Sequence, residues 1–168
     1  GIVVKTRGEK IAYIAGLVIS LAVMGYVLFS NQHNESIENQ ANAVIQGEKI
    51  RIESTVLGED REVWVSLPAG YDSTEGYPVL YLLDGDDHFD YTAGLVRRMA
   101  RYNGYVPNMI VVGVLNTDRV RDLTPINAYE NADGSKNEFL KNSGGADLFL
   151  DFMQTELFPM IEARYATK

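Results

Sequence analysis

The chain has no cysteine. That excludes disulfides, thiolate metal sites and a cysteine nucleophile, and it leaves the redox compartment open. Basic charge is scarce: 15 Lys and Arg stand against 23 Asp and Glu, for a net charge of −8. Lys5, Arg7 and Lys10 fall in the first ten residues against Glu9 alone, so the remainder is more acidic still. Such a chain, without a basic stripe, is poorly suited to neutralising phosphates, which argues against nucleic-acid binding. Histidine occurs only at His33 and His88, and no Gly-x-Ser-x-Gly turn occurs. The usual strained elbow for a nucleophilic serine is therefore missing. Ser143-Gly144-Gly145 is a poor substitute, because polar loop and not a buried strand precedes it.

What is there begins with an apolar run. Ile11 to Phe29 gives 19 residues without a charge. As a helix rising about 1.5 Å per residue, it nearly spans a hydrocarbon core of ~30 Å. Basic residues precede it, and Ser30-Asn31-Gln32-His33-Asn34-Glu35 follows. The positive-inside rule then places the N-terminus in the cytoplasm and the rest in the periplasm or outside the cell. A cleaved signal peptide is one competing reading, but its apolar region normally runs about 7–15 residues with a small-x-small site close behind. Ala41-Asn42-Ala43 lies too far beyond. A buried core helix is the other. The expected division is a basic cytoplasmic segment 1–10, a single transmembrane anchor 11–29, a polar linker 30–47 rich in Asn and Gln, and a globular part 48–168. Gly1 in place of methionine is expected either from removal of an initiator or from residues missing upstream.

From Lys49 the apolar pattern has period two. Ile50, Ile52, Ser54 and Val56 share one face, and Gly58-Glu59-Asp60 turns the chain into a second alternating strand with Val63, Val65 and Leu67, an antiparallel hairpin. The unbroken apolar runs Val79–Leu83 and Met109–Leu115 suit strands covered on both faces, as in a parallel sheet. Between them Phe89–Tyr102 has helical spacing, with Leu95, Met99 and Tyr102 as the expected stripe. A second helix is expected from Ala146 to about Tyr165, with Leu148, Phe149, Phe152, Leu157 and Ile161 inward and a kink at Pro159. This order predicts an α/β sheet with an antiparallel edge and flanking helices, and another buried strand as the next element.

Ligand and catalytic groups of open α/β sheets gather beyond the carboxyl ends of strands. Two segments occupy that position. In Asp84-Gly85-Asp86-Asp87-His88, Gly85 permits a tight turn with unusual dihedrals, and such a turn can aim a backbone N–H at a developing oxyanion. The plainer reading is an acidic turn in which Asp84 or Asp86 caps the following helix. In Asn116–Pro125, Arg119 and Arg121 could receive an anionic or carbonyl-bearing substrate, or an Arg–Asp pair could pin the loop, the reading favoured for Asp122. His88 reads best as a solvated helix-start histidine.

Five stretches carry a resemblance. They are Val56-Leu57-Gly58-Glu59-Asp60-Arg61, Leu67-Pro68-Ala69-Gly70-Tyr71, Tyr77-Pro78-Val79-Leu80-Tyr81-Leu82-Leu83-Asp84-Gly85, Ile110–Pro125, and Gly144-Gly145-Ala146 with Phe149-Leu150 and Glu156-Leu157-Phe158-Pro159-Met160-Ile161-Glu162. Together they resemble the first half of the Putative esterase family of α/β-hydrolases, which includes enterobactin esterases and esterase D. The resemblance implies a partial α/β-hydrolase sheet and a serine esterase acting on a small-molecule ester, with no cofactor and no metal. It implies that the Asp86 backbone amide is one oxyanion-hole donor. Arg119, Arg121, Asp122 and His88 are the substrate-side candidates read from the two segments themselves, beside the structural readings of Asp122 and His88. In that family the triad runs nucleophile, acid, histidine, so His88 stands too early to be the base. Nucleophile, acid and base are expected beyond Lys168, making the 168-residue piece inactive by itself.

Two other readings stay open. A strand ending in Asp84-x-Asp86 resembles motif I of the haloacid-dehalogenase phosphatases, with Asp84 as nucleophile, Asp86 as acid/base and magnesium between them. A hairpin precedes it here, and position 88 is His where Thr or Val is typical. The other is an anchored, non-catalytic binding module with a hydrolase-like sheet.

Overall fold

The computed structural model describes residues 22–30 and 46–168. The chain divides into two compact units, Gly1–Val44 and Ile45–Lys168. In the first, helix α1 covers 22–30 and exposes Val23, Met24, Tyr26, Val27 and Leu28. Among the described residues no helix is long and apolar enough to cross a membrane. Most of the anchor expected at 11–29 lies outside them, as does most of the linker.

The second unit is a four-stranded sheet with strands β1 (Glu48–Ser54), β2 (Glu59–Ser66), β3 (Val79–Leu82) and β4 (Ile110–Val114), in the order β1-β2-β4-β3. β1 and β2 form the expected antiparallel hairpin, β2 runs antiparallel to β4, and β3 lies parallel to β4. Glu156 closes the hairpin from the far side of the sequence. Its carboxylate accepts from the Thr55 and Val56 amides at 2.8 and 3.0 Å and from Ser54 Oγ at 2.5 Å.

Every residue of β4 is buried, as its unbroken apolar run predicts. Ile110, Val112 and Val114 join one core with Phe149, Phe152, Leu157 and Ile161. Val111 packs on the opposite side with Phe89 and Ala93. β3 is only half-buried along its length, because β4 flanks it on one side alone. On its other side the chain returns after the last helix: Thr167 bridges Tyr77 in parallel, and the Lys168 amide donates to the Tyr77 carbonyl at 3.1 Å.

Helix α2 (Gly85–Arg98) starts four residues before the helical spacing suggests, and a π turn, Met99–Asn103, ends it. Its buried residues are Gly85, Phe89 and Ala93. The expected stripe is on the wrong face, since Leu95 and Tyr102 are 52% and 67% exposed. The reason is close approach: beside Phe89 the helix lies on β4 through the small Gly85 and Ala93, so two of its three inward positions carry no large apolar side chain. The second long helix is interrupted as expected at Pro159. It runs as α4 (Ala146–Phe152), a π turn (Met153–Leu157) and α5 (Phe158–Arg164), with Pro159 in the first turn of α5. Proline has no N–H to continue the ladder and clashes with the preceding turn, so the helix widens before it. Phe149, Phe152, Leu157 and Ile161 are buried; Leu148 is not.

Candidate active-site rim

β3 ends in a turn whose backbone differs from expectation. Asp84, not Gly85, is left-handed, with φ 53 and ψ 45. Among the described residues it is the only non-glycine with positive φ. Gly85 is needed for space. A Cβ there would stand 2.7 Å from the Gly113 carbonyl carbon and 2.9 Å from the Val114 nitrogen. A Cβ on Gly113 would in turn meet the Phe89 ring at 2.7 Å. These two glycines let the start of α2 rest on the end of β4.

No side chain caps the helix, contrary to the capping role expected for Asp84 or Asp86. The Asp84 carbonyl takes that part, accepting from the Asp87 and His88 amides at 3.1 Å each. The Gly85 and Asp86 amides donate to no group among the described residues. They sit at the positive end of a 14-residue helix, where helix-start N–H groups favour negative charge.

The Asp84 side chain is held from the next strand. Arg119 grips it with both arms of its guanidinium, Nε at 2.7 Å from Oδ1 and Nη2 at 3.1 Å from Oδ2. Asn116 Nδ2 donates to Asp84 Oδ1 and to Asp86 Oδ1, at 2.9 Å each. The Arg119 bond first, then the Asn116 bond, keeps the Asp84 carboxyl below its ordinary range. The same pair raises Arg119. The two segments singled out in the sequence therefore meet as one rim of Asp84, Asp86, Asn116 and Arg119. With both Asp84 oxygens engaged, the arrangement gives no support to the magnesium phosphatase reading. Among the described residues no group of His, Cys, Asp and Glu is placed to hold a metal.

The other three expected residues sit elsewhere. His88 is half-buried, its Nδ1 2.7 Å from Tyr91 Oη. Arg121 and Asp122 belong to a network under the rim. Asp122 accepts from Arg61 Nη1 and from Arg121 Nε at 2.7 Å each. Glu59 accepts from Arg121 at 2.6 and 3.0 Å and from Arg61 at 2.9 Å. Arg61 also donates to the Leu115 carbonyl at 3.0 Å and lies over the Phe149 and Phe152 rings at 5.4 and 5.7 Å. The Arg61 and Asp122 side chains are 1% and 2% exposed. The Arg121 bond, above all, depresses the Glu59 carboxyl, and Glu59 raises Arg121. Sequence reasoning missed Arg61 and Glu59. A signal existed for Arg61: it shares the inward register of β2 with Val63 and Val65.

The rim lies at the carboxyl ends of two parallel strands and presents two amides without partners among the described residues. The family described as Putative esterase matches residues 54–168. This chain belongs to the Putative esterase family. It is 31% identical over 137 residues to ferri-bacillibactin esterase BesA of Bacillus subtilis, covering 72% of this chain and 46% of that protein. It is 29% identical over 108 residues to the apo-salmochelin esterase of Escherichia coli, covering 60% and 33%. The chain thus spans between a third and a half of the length of these relatives. Among solved structures, the IroE-like serine hydrolase of Shewanella oneidensis is similar with a TM-score of 0.67 and 43% identity, over 72% of this chain and 39% of that one.

Proposed function

We propose that this chain supplies the oxyanion wall of a serine ester hydrolase. The single observation that carries the reading is the pair of amides, Gly85 and Asp86, without partners among the described residues, at the helix start beyond β3. Membership of the family supports the ester-hydrolase part. In acyl transfer the carbonyl oxygen gains charge as the tetrahedral intermediate forms. Fixed N–H donors stabilise that charge more than they stabilise the ground state, which lowers the barrier. The Asp86 amide is the donor we assign. Nucleophile, acid and base would come from sequence outside this chain, which holds no Gly-x-Ser-x-Gly. The relatives are esterases of apo-salmochelin and ferri-bacillibactin, so siderophore esters are the substrate class to try first.

Residues 11–29 would anchor the protein with its globular part outside the cytoplasm, a reading supported by the charge-free apolar run alone. Pelleting with membranes after alkaline carbonate extraction is expected; recovery in the soluble fraction removes the anchor. The hydrolase reading is tested on two preparations. The 168-residue chain should not turn over p-nitrophenyl acetate above a heat-killed control. The product of the reading frame extended past Lys168 should hydrolyse that ester and a siderophore ester, through a serine that a fluorophosphonate labels. An extended protein with no labelled serine and no turnover would leave the binding-module reading in its place.

A further inference from the structure

The left-handed backbone at Asp84 is a cost that something must offset, because a non-glycine residue there crowds its Cβ against the chain. Two contacts hold the turn in place. On the sheet side, Gly85 is seated against Gly113 with no room for a Cβ. On the solvent side, the two-armed bond from Arg119 fixes the Asp84 carboxylate, and Asn116 ties that carboxylate to Asp86. Arg119 is itself well placed to act as a fixed point. It opens the short helix α3 (Arg119–Asp122), whose last residue is the buried Asp122 of the ionic network. Asp118 caps that helix by accepting from the Arg121 amide at 3.0 Å.

We propose that Arg119 is a positioning residue: by clamping the Asp84 side chain it holds the left-handed turn, and with it the Gly85 and Asp86 amides, in the geometry an oxyanion requires. This rests on the reading of those amides as the oxyanion wall. It assigns Arg119 a role through Asp84, in place of direct substrate binding. The charged and titratable groups around the Asp84 carboxylate are Arg119 from α3, Asp86 joined through Asn116, and His88 and Asp87 from α2.

A glycine at position 84 separates the two roles, since it adopts the left-handed region at no steric cost. Isotope-labelled full chain in detergent micelles would be studied by NMR as wild type, Arg119→Met, Asp84→Gly and the double variant. The readouts are the backbone coupling and carbon shifts of residue 84, and the amide resonances of Gly85 and Asp86 against pH. Arg119→Met should move residue 84 off its left-handed values, displace both amides and raise the pH midpoint at which they report the Asp84 carboxyl, with only the small fall in melting temperature expected of an exposed pair. In the Asp84→Gly background, Arg119→Met should leave residue 84 in place. Amides and residue 84 that ignore Arg119→Met overturn the proposal, as does an equal displacement of residue 84 in the Asp84→Gly background. A clamp that behaves as stated in a protein whose extended form has no esterase activity removes the hydrolase reading and leaves the clamp. An indifferent turn in an active esterase does the reverse.

Discussion

Two clusters of arginine and carboxylate lie a few residues apart in this chain, and they do different work. Arg61, Asp122, Arg121 and Glu59 form a network with Arg61 and Asp122 almost wholly out of water. Arg119 and Asp84 form a pair of similar bond lengths with 61% and 20% of their side-chain surface exposed. The bonds alone do not tell them apart. Burial does, because a charge out of water must be paired, whereas an exposed pair is free to break and be hydrated. The buried cluster therefore holds the loop to the sheet, and the exposed one sets the conformation of a turn.

Breaking the buried cluster should have the largest effect. Arg61→Met keeps a stem against Phe149 and Phe152 but removes the guanidinium from Asp122. Removing one partner of a buried pair costs about 3–5 kcal/mol, and the loss should lie near the lower figure because Arg121 still reaches Asp122. Urea unfolding with an unchanged slope would measure it. A loss below about 1 kcal/mol, the range of surface pairs, would make the two clusters equivalent and defeat the comparison.

Next in size is the seat of the exposed cluster. Gly85→Ala would put a methyl 2.7 Å from the backbone of Gly113, and overpacking of this kind costs about 1–3 kcal/mol. The sharper expectation is that the amides of residues 85 and 86 shift while the buried network keeps its bonds. Gly94→Ala on the same helix is the control, since nothing lies within 4 Å of its Cβ. Alanine favours a helix over glycine by about 1 kcal/mol, so Gly94→Ala should lose nothing; a Gly85→Ala variant that also loses nothing would mean that close approach does not explain Gly85.

This pair of glycines also shows what was legible in the sequence. The hairpin, the buried central strand and the break at Pro159 were readable, because period two, an unbroken β-branched run and a missing N–H act within a few residues. The inner face of α2 was not. Its buried positions are Gly85, Phe89 and Ala93, and two of these are too small to register as an apolar stripe. The left-handed residue was placed one position late, on the residue whose type permits it, when side-chain bonds to Asn116 and Arg119 hold Asp84 there. Those bonds span 32 and 35 residues, a distance over which local patterns say nothing. Both halves of the rim were still located, since strand ends followed by charged turns stand out in sequence. Their joining was not.

Acid should weaken both clusters, with a common sign. Glu59 and Asp84 titrate below their ordinary values in the fold, each through an arginine. A carboxylate depressed in the folded state contributes stability that is present above its unfolded pKa of about 4, and that contribution is lost as pH falls through the folded value. Melting temperature should therefore be flat from neutrality to about pH 5 and fall below about pH 4. Glu59→Gln should lower the plateau and flatten the acid limb. A limb of unchanged steepness would place the lost protons on other carboxylates.

Salt gives the smallest and most selective effect. At about 1 M the screening length is about 3 Å, against about 10 Å at 0.1 M, and exposed pairs feel it far more than buried ones. The Arg119–Asp84 pair faces solvent, so added sodium chloride should raise the pH midpoint of Asp84 toward its ordinary value. The Glu59 midpoint should move less: the two carboxylates are similarly exposed, but the arginines on Glu59 are 1% and 29% exposed against 61% for Arg119. Carbon-detected NMR titration of both carboxyl groups at low and high salt reads the two midpoints in one sample. In Arg119→Met the Asp84 midpoint should start high and no longer respond to salt, while Glu59 behaves as in wild type. Equal salt responses at Glu59 and Asp84 would mean that burial does not separate the clusters, and the division of labour between holding the loop and setting the turn would fall with it.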